Sequence, residues 1–415
     1  MYGLVGDTLL YSLSKWLIIM ERRGNRPIPS SFNYAHDETF YFRHLTNKRS
    51  KPGVTNKRSK HGDKAFNLVQ DIHEKRGSLR VLYSVVALVS YSGNKVVAKR
   101  SGTIIESDNV TSFVLTSANL VRRPTIGEFV ENDLINDLQV TVYYSGGQAY
   151  KGELVAFDFH YNLAVISFHS QDPLTTAKIA ELDDSLDVAT CPPSFHLRPH
   201  SNSYKLCPGA EVVAVGRSSY ETCEPMVATG AYWLDRCGYD CKELFKASCK
   251  ILKWGEGGPL INHLGEVIGI VYHELGSTPF MPISIASKWW EYFKMHRIYG
   301  RPLIGMEAGN FYTADICVIE RVNRLFPSVS NGVVVEKVTQ GSSADLAGLC
   351  VDDVIIECAG KRVKSFLEFF GIIWENIGDS VNLVIVRQDK AEQIHLTMFV
   401  TEATLDKLYR WPYRI

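Results

Sequence analysis

The chain is predicted to be mostly β, a barrel or sandwich of short strands followed by a smaller α+β domain, with a flexible basic extension at the N-terminus. Three observations carry this prediction. Runs at 83–91, 101–106, 111–115, 138–143, 152–157, 164–168 and 211–215 are short, rich in Val and Ile, and separated by turn residues, which is the rhythm of a closed or two-layered β structure. From about Arg301 the pattern changes to strands at 332–335, 352–356 and 381–387, with a helix at 364–376 that has an apolar side. Residues 1–80 hold fifteen Lys or Arg against seven Asp or Glu, a surplus of eight in a chain that is balanced overall at 45 and 45. At 415 residues, two folded domains and an extension are the ordinary expectation.

In chain order the extension, residues 1–64, comes first. Its apolar stretch at 9–20 is shorter than the roughly 20 residues that span a bilayer, so no membrane span is expected. Asp7 precedes that stretch and Glu21, Arg22 and Arg23 follow it, which are the wrong flanks for a secretory signal; organellar targeting stays open. The basic surplus peaks in a repeat, Thr46-Asn47-Lys48-Arg49-Ser50-Lys51 and again Thr55-Asn56-Lys57-Arg58-Ser59-Lys60. Such a stretch lacks the apolar residues to form a core and reads as mobile. It is either a nuclear-import or nucleic-acid patch or a solvated linker, and neither folded domain gives a reason to expect nucleic acid as a partner.

The region 65–298 contains strings that resemble catalytic segments. Residues Trp254-Gly255-Glu256-Gly257-Gly258-Pro259-Leu260 look like the nucleophile loop of a trypsin-type serine protease with Glu256 in the serine position. Val114-Leu115-Thr116-Ser117-Ala118-Asn119 resembles the strand and turn that carry the histidine in the HtrA/Deg (Do-like) serine proteases, with Asn119 in the histidine position. Asp158-Phe159-His160-Tyr161-Asn162-Leu163-Ala164-Val165 resembles the family's aspartate segment, with Asn162 where aspartate is usual. Gly209, Gly216 and Gly265-Glu266-Val267-Ile268-Gly269 follow in the family's order. The resemblance implies a trypsin-like double β-barrel over 65–298, in which Asn119, Asn162 and Glu256 meet in the cleft between two six-stranded barrels.

A hydroxyl attacks a peptide carbonyl only when an imidazole takes its proton and a third group orients that imidazole. Asparagine cannot accept and return a proton near neutral pH, and a carboxylate at 256 would repel the negative charge that develops on the carbonyl oxygen. The resemblance places one of the N–H groups that hold this oxygen at Trp254, where family members have glycine. No catalytic residue is therefore expected, and the chain reads as a non-catalytic relative that binds peptide or protein segments. Two alternatives stand beside this reading. One is a working serine endopeptidase with another base, for which His160 is the nearest candidate; the other is a nuclear or nucleic-acid scaffold acting through the basic N-terminus.

Gly332-Val333-Val334-Val335, followed by Gly341-Ser342-Ser343-Ala344-Asp345-Leu346-Ala347-Gly348-Leu349, resembles a protease-associated PDZ domain. The resemblance assigns it 299–400 and leaves 401–415 as a tail. It implies a peptide-binding loop at Leu303, Ile304, Gly305 and Met306, beside which an extended peptide adds as a strand. Phe66 and Leu68 resemble the family's residues that hold three protomers together, which implies a homo-trimer or a hetero-trimer with related subunits; packing on their own barrel is the alternative. Nine cysteines, an odd number, point to a reducing intracellular compartment, nucleus or cytosol first. The spacing of Cys223, Cys237, Cys241 and Cys249 does not suit zinc, so no metal and no cofactor are expected.

Overall fold

The computed structural model describes residues 71–411 apart from 109, 125–131, 189–202, 220–222 and 235–236, all within one compact unit, 64–415. The 9–20 stretch, the basic repeat, Phe66 and Leu68 lie outside the described residues.

Two closed six-stranded barrels form the first part. Around the first run Val85–Ser92, Lys95–Ser107, Thr111–Ser117, Leu163–His169, Ala149–Asp158 and Leu138–Tyr143, and each strand pairs antiparallel with the next. Successive side chains of a strand point to opposite faces, so Val86 and Leu88, Val140 and Val142, and Ala164 and Ile166 enter one core. The second barrel runs Glu211–Arg217, Pro225–Trp233, Phe245–Ala247, Thr278–Pro282, Val267–Val271 and Pro259–Ile261, around Val212, Ala214, Leu260, Ile268 and Phe280. Closure leaves no unpaired strand edge in either barrel. The expected run 101–106 is the inner half of a longer strand. Its outer half carries Lys95 and Lys99 among the apolar residues, which hides it from a search for Val/Ile runs.

Helix Ile283–His296 joins the barrels to the second domain. Its buried residues Ile285, Ala286, Trp289, Trp290 and Phe293 recur at helical spacing. Each large apolar side chain buried this way contributes roughly 1.5–3 kcal/mol. The second domain has a sheet in the order Met306–Asn310, Val333–Val338, Val354–Cys358, Ser380–Val386, Ile394–Phe399, with helices Ile316–Leu325 and Phe366–Glu375. The expected helix at 364–376 begins at Phe366 because Ser365 caps it. The Ser365 hydroxyl accepts from the Glu368 N–H at 3.3 Å, and the Glu368 carboxylate accepts from the Lys364 N–H at 2.9 Å.

The two parts share one hydrophobic cluster, which includes Ile270 and Met281 of the second barrel, Trp289 of the joining helix and Ile373 of the second domain. Polar bonds pin the seam. Arg301 Nε donates to both oxygens of the buried Asp158 carboxylate, each at 3.0 Å, and Asn310 Nδ2 donates to Asp184 at 2.9 Å. Between helices Ile283–His296 and Phe366–Glu375 lies a cavity of about 390 Å³ lined by Ile285, Lys288, Lys361, Leu367 and Phe370 among others. Among the described residues no helix is long and apolar enough to cross a membrane.

Candidate functional site

The loop that carries Glu256 leaves the second barrel and lies directly on the first. Two glycines make this approach possible. Gly257 has φ +84°, and a Cβ there would stand 2.4 Å from Thr116 Oγ1 and 2.5 Å from the Ser101 carbonyl; at Gly258 it would meet the Val215 carbonyl at 2.2 Å. The loop is stitched down on both sides of Gly255, by the Ser101 N–H to the Glu256 carbonyl at 2.9 Å and by the Ser101 hydroxyl to the Trp254 carbonyl at 2.9 Å. Glu256 is thereby aimed at the turn after strand Thr111–Ser117.

There the Glu256 carboxylate, buried, is held by three side chains. Asn119 Nδ2 donates to Oε1 at 2.6 Å, Ser117 Oγ donates to the same oxygen at 2.8 Å, and Arg100 Nε forms an ion pair with Oε2 at 3.2 Å. Arg122 completes the group. Its Nε donates to Asn119 Oδ1 at 3.1 Å, it also donates to Asn132, and its guanidinium lies 4.3 Å from the centre of the Phe159 ring. Burial pushes the Arg122 guanidinium down to about 10, against the pull of the Glu256 and Asp158 carboxylates. The arrangement neutralises a buried carboxylate with one close cation and two hydrogen bonds.

Asn119 and Glu256 are thus in contact, as the sequence implies, but Asn162 joins them only through the main chain. Its carbonyl accepts from the Ala118 N–H at 2.9 Å and from the Tyr272 hydroxyl at 3.3 Å. Its buried side-chain amide has no hydrogen-bond partner among the described residues, and its φ of 55° is left-handed, a region Asn enters more readily than most residues. Trp254 sits in a tight turn, Lys253–Gly255, in which the Glu256 N–H donates back to the Lys253 carbonyl at 3.3 Å. That N–H is turned into the loop.

The candidate substitute base, His160, is not a surface histidine. It is buried, stacks on Tyr409 with ring centres 4.1 Å apart, and its Nδ1 accepts from the Tyr409 N–H at 3.4 Å. Burial, and after it the Arg301 charge, pushes the imidazole down to about 3, so it is neutral over the physiological range. The two hydroxyls beside Glu256 are engaged elsewhere, Ser117 on Glu256 itself and Ser101 on the Trp254 carbonyl.

In the second domain, strand Met306–Asn310 lies at one end of the sheet and has a single strand neighbour among the described residues. Leu303, in the loop before it, pairs with Thr401. Ile304 and Met306 are buried, and Gly305 takes φ +76°, where a Cβ would stand 2.2 Å from the Ser342 Cβ. Helix Phe366–Glu375 flanks the strand, and the Phe366 N–H donates to Asn310 Oδ1 at 2.6 Å. The strand thus has one side without a strand neighbour among the described residues, beside a helix whose apolar residues Phe366, Leu367 and Phe370 are buried. The second barrel touches it, Lys242 approaching Glu307 at 3.5 Å and Phe245 approaching Phe366 with ring centres 6.4 Å apart.

The sequence reading missed Arg100, Ser117 and Arg122. For the two arginines the available signal was charge in or beside a strand, since Arg100 lies within strand Lys95–Ser107 and Arg122 follows the Asn119 turn; Ser117 carried no such signal. It also missed the tail, whose Tyr409 and Trp411 pack against the first-barrel segment at His160.

Comparison with known proteins agrees with this architecture. Residues 100–270 match the model of the trypsin-like peptidase domain, and residues 334–387 match that of the PDZ domain. The chain is 28% identical over 316 residues to "Putative protease Do-like 14" of Arabidopsis thaliana, covering 74% of this chain and 65% of that protein. It is 23% identical to "Serine protease Do-like HtrB" of Bacillus subtilis, covering 72% and 61%. The chain thus spans less than two thirds of the length of these relatives. A crystal structure of the serine endoprotease from Yersinia pestis aligns with TM-score 0.45 at 20% identity, covering 81% of this chain and all of that one. The chain carries a trypsin-like peptidase domain followed by a PDZ domain, and it has homologues among the Do-like/HtrA proteases.

Proposed function

We propose that the chain is a pseudoprotease of the HtrA/Do-like group, one that binds peptide or protein segments at its PDZ groove and does not cleave them. One observation carries the reading: a carboxylate, Glu256, stands in the nucleophile loop and is tied to Asn119, Ser117 and Arg100. Asn119 has no lone pair basic enough to take a proton. With base and nucleophile both gone, binding and the oxyanion hole alone leave at best roughly 10³ to 10⁴ over water, and the inward turn of the Glu256 N–H works against even that. The groove supports the binding half of the proposal through its free strand edge and its apolar wall.

The test is incubation of the purified chain with casein and with a fluorophosphonate probe. Neither turnover nor labelling is expected. Labelling of a single serine, abolished when that serine is changed, would establish a working endopeptidase instead. For the binding half, a library of peptides with free C-termini should yield ligands whose capture is lost in Gly305→Val. The proposal extends to assembly, a trimer through Phe66 and Leu68, for which a sedimentation profile of monomer mass at micromolar concentration is the contrary result. It extends also to a reducing intracellular location, which suits the free thiols of the eight described cysteines.

A further inference from the structure

The tail returns to the barrels. After Ala403, which is buried, Thr404, Leu405 and Lys407 are exposed, and then three successive residues each meet a different chemistry. Tyr409 stacks on the His160 ring and its hydroxyl donates to Glu243 Oε1 at 3.1 Å. Arg410 pairs with Asp240, Nε to Oδ2 at 2.6 Å and Nη2 to Oδ1 at 3.4 Å. Trp411 has no exposed surface. Its Nε1 donates to the His160 carbonyl at 2.9 Å, and its ring lies against Tyr239 and Tyr272, with centres 4.9 Å away in each case. The slot borders the cleft, because the Tyr272 hydroxyl donates to the carbonyls of Tyr161 and Asn162 at 2.9 and 3.3 Å.

These contacts look like those of a bound peptide. Stacked rings give area and orientation, a buried carbonyl disfavours a ring without a donor, and a carboxylate read by two guanidinium nitrogens selects arginine. The exposed connector means that undocking the segment costs only the segment's own contacts. We propose that the slot formed by Tyr239, Tyr272 and the His160 main chain, with Asp240 at its rim, is a second peptide-recognition site. It selects a segment of the pattern aromatic–basic–aromatic, and Tyr409, Arg410 and Trp411 occupy it in cis. A partner protein that presents the same pattern takes the slot by displacing the tail, whose tethering gives it a high effective concentration. The proposal stands apart from the PDZ groove and from the question of catalysis.

The experiment uses the full chain and a fluorescent peptide of the sequence Lys407 to Trp411, amidated so that it offers no C-terminal carboxylate to the PDZ groove. Fluorescence anisotropy is read on wild type and on Trp411→Ala. The emptied variant is expected to bind the peptide at least about tenfold more tightly than wild type does, and to bind a control peptide lacking the tryptophan no better than wild type does. Adding Asp240→Lys to Trp411→Ala should abolish the gain; a gain that survives puts the peptide elsewhere and sinks the proposal. If Trp411→Ala melts without cooperativity, Arg410→Glu decides, since Arg410 is exposed and its loss weakens the tail's hold on the slot without emptying a buried position; it should bind the peptide more tightly than wild type does. Peptide binding to a folded variant that is no tighter than binding to wild type overturns the assignment.

Discussion

In the cleft between the barrels the polar side chains are turned on one another. Asn119, Ser117 and Arg100 hold Glu256, and Arg122 holds Asn119. In the second domain, by contrast, strand Met306–Asn310 has one pairing side without a strand neighbour among the described residues. A hydrogen-bonding group already satisfied inside the fold has little left to offer a ligand, whereas a free strand edge carries a row of donors and acceptors that only a partner or water can satisfy. The difference teaches that polar side chains bonded to one another across two barrels contribute to stability, while a strand edge without a strand neighbour does not. Changes in the Asn119–Glu256 cluster should therefore be legible by denaturation.

The strongest way to break this comparison is to remove the carboxylate. In Glu256→Ala, Arg100 stays buried with its charge unpaired, and Asn119 and Ser117 lose their acceptor. Unfolding in urea should show a loss of about 3–5 kcal/mol. Glu256→Gln keeps an acceptor oxygen for Asn119 and Ser117 and should lose less. A Glu256→Ala protein as stable as wild type would mean that the cleft holds nothing together.

Much of this was legible beforehand. The barrel strands announce themselves because their Val and Ile runs are short and interrupted, and the position of Glu256 is given by the two glycines after it, which only a close-packed loop needs. The partners of Glu256 were not legible. Ser117 and Arg100 are 139 and 156 residues away in sequence, and barrel closure, not local pattern, brings them in. Asn162 shows the opposite failure. Its place beside the Asn119 turn was readable, yet nothing in the sequence tells that its amide would be left without a bond. The tail escaped notice because a Tyr-Arg-Trp string has no periodicity until its slot is known.

A second test is titration of the His160 contact that fastens the tail. Its imidazole titrates at about 3 in the folded chain, against roughly 6.5 when unfolded. A depressed value means that the neutral form is favoured by folding. The stability it supplies is therefore complete above the unfolded value and is lost as pH falls from there through the folded one, a few kcal/mol in all. Burial pushes the Asp158 and Glu243 carboxyls up, and these act in the opposite sense. They are present in His160→Phe as well, so the difference in stability between the two proteins isolates the imidazole. Wild type should weaken relative to the variant between pH 7 and pH 4, and parallel curves would contradict the assignment.

Gly305→Ala probes the other half of the comparison. The added methyl meets Ser342 and imposes a side chain on a left-handed backbone, a strain of order 1–3 kcal/mol. Captured peptide should fall to background while the unfolding free energy falls only by that amount. An unchanged peptide titration would show that strand addition at this loop is not how the domain binds.

The smallest effect is expected where the cleft is least engaged. In Asn162→Gly four terms nearly cancel. Left-handed strain, less than about 1 kcal/mol because Asn enters this region readily, is relieved, and a buried amide without partners among the described residues is removed, a gain of about 1–3 kcal/mol. Against these stand the entropy of glycine, up to about 1 kcal/mol, and the small cavity left by the side chain, about 1–2 kcal/mol. The net change should lie within about 1 kcal/mol of zero, with the carbonyl still accepting from Ala118 and Tyr272. A loss comparable to that of Glu256→Ala would mean that the Asn162 amide binds something in solution, a water or a ligand, and that the cleft is less self-contained than its side chains make it.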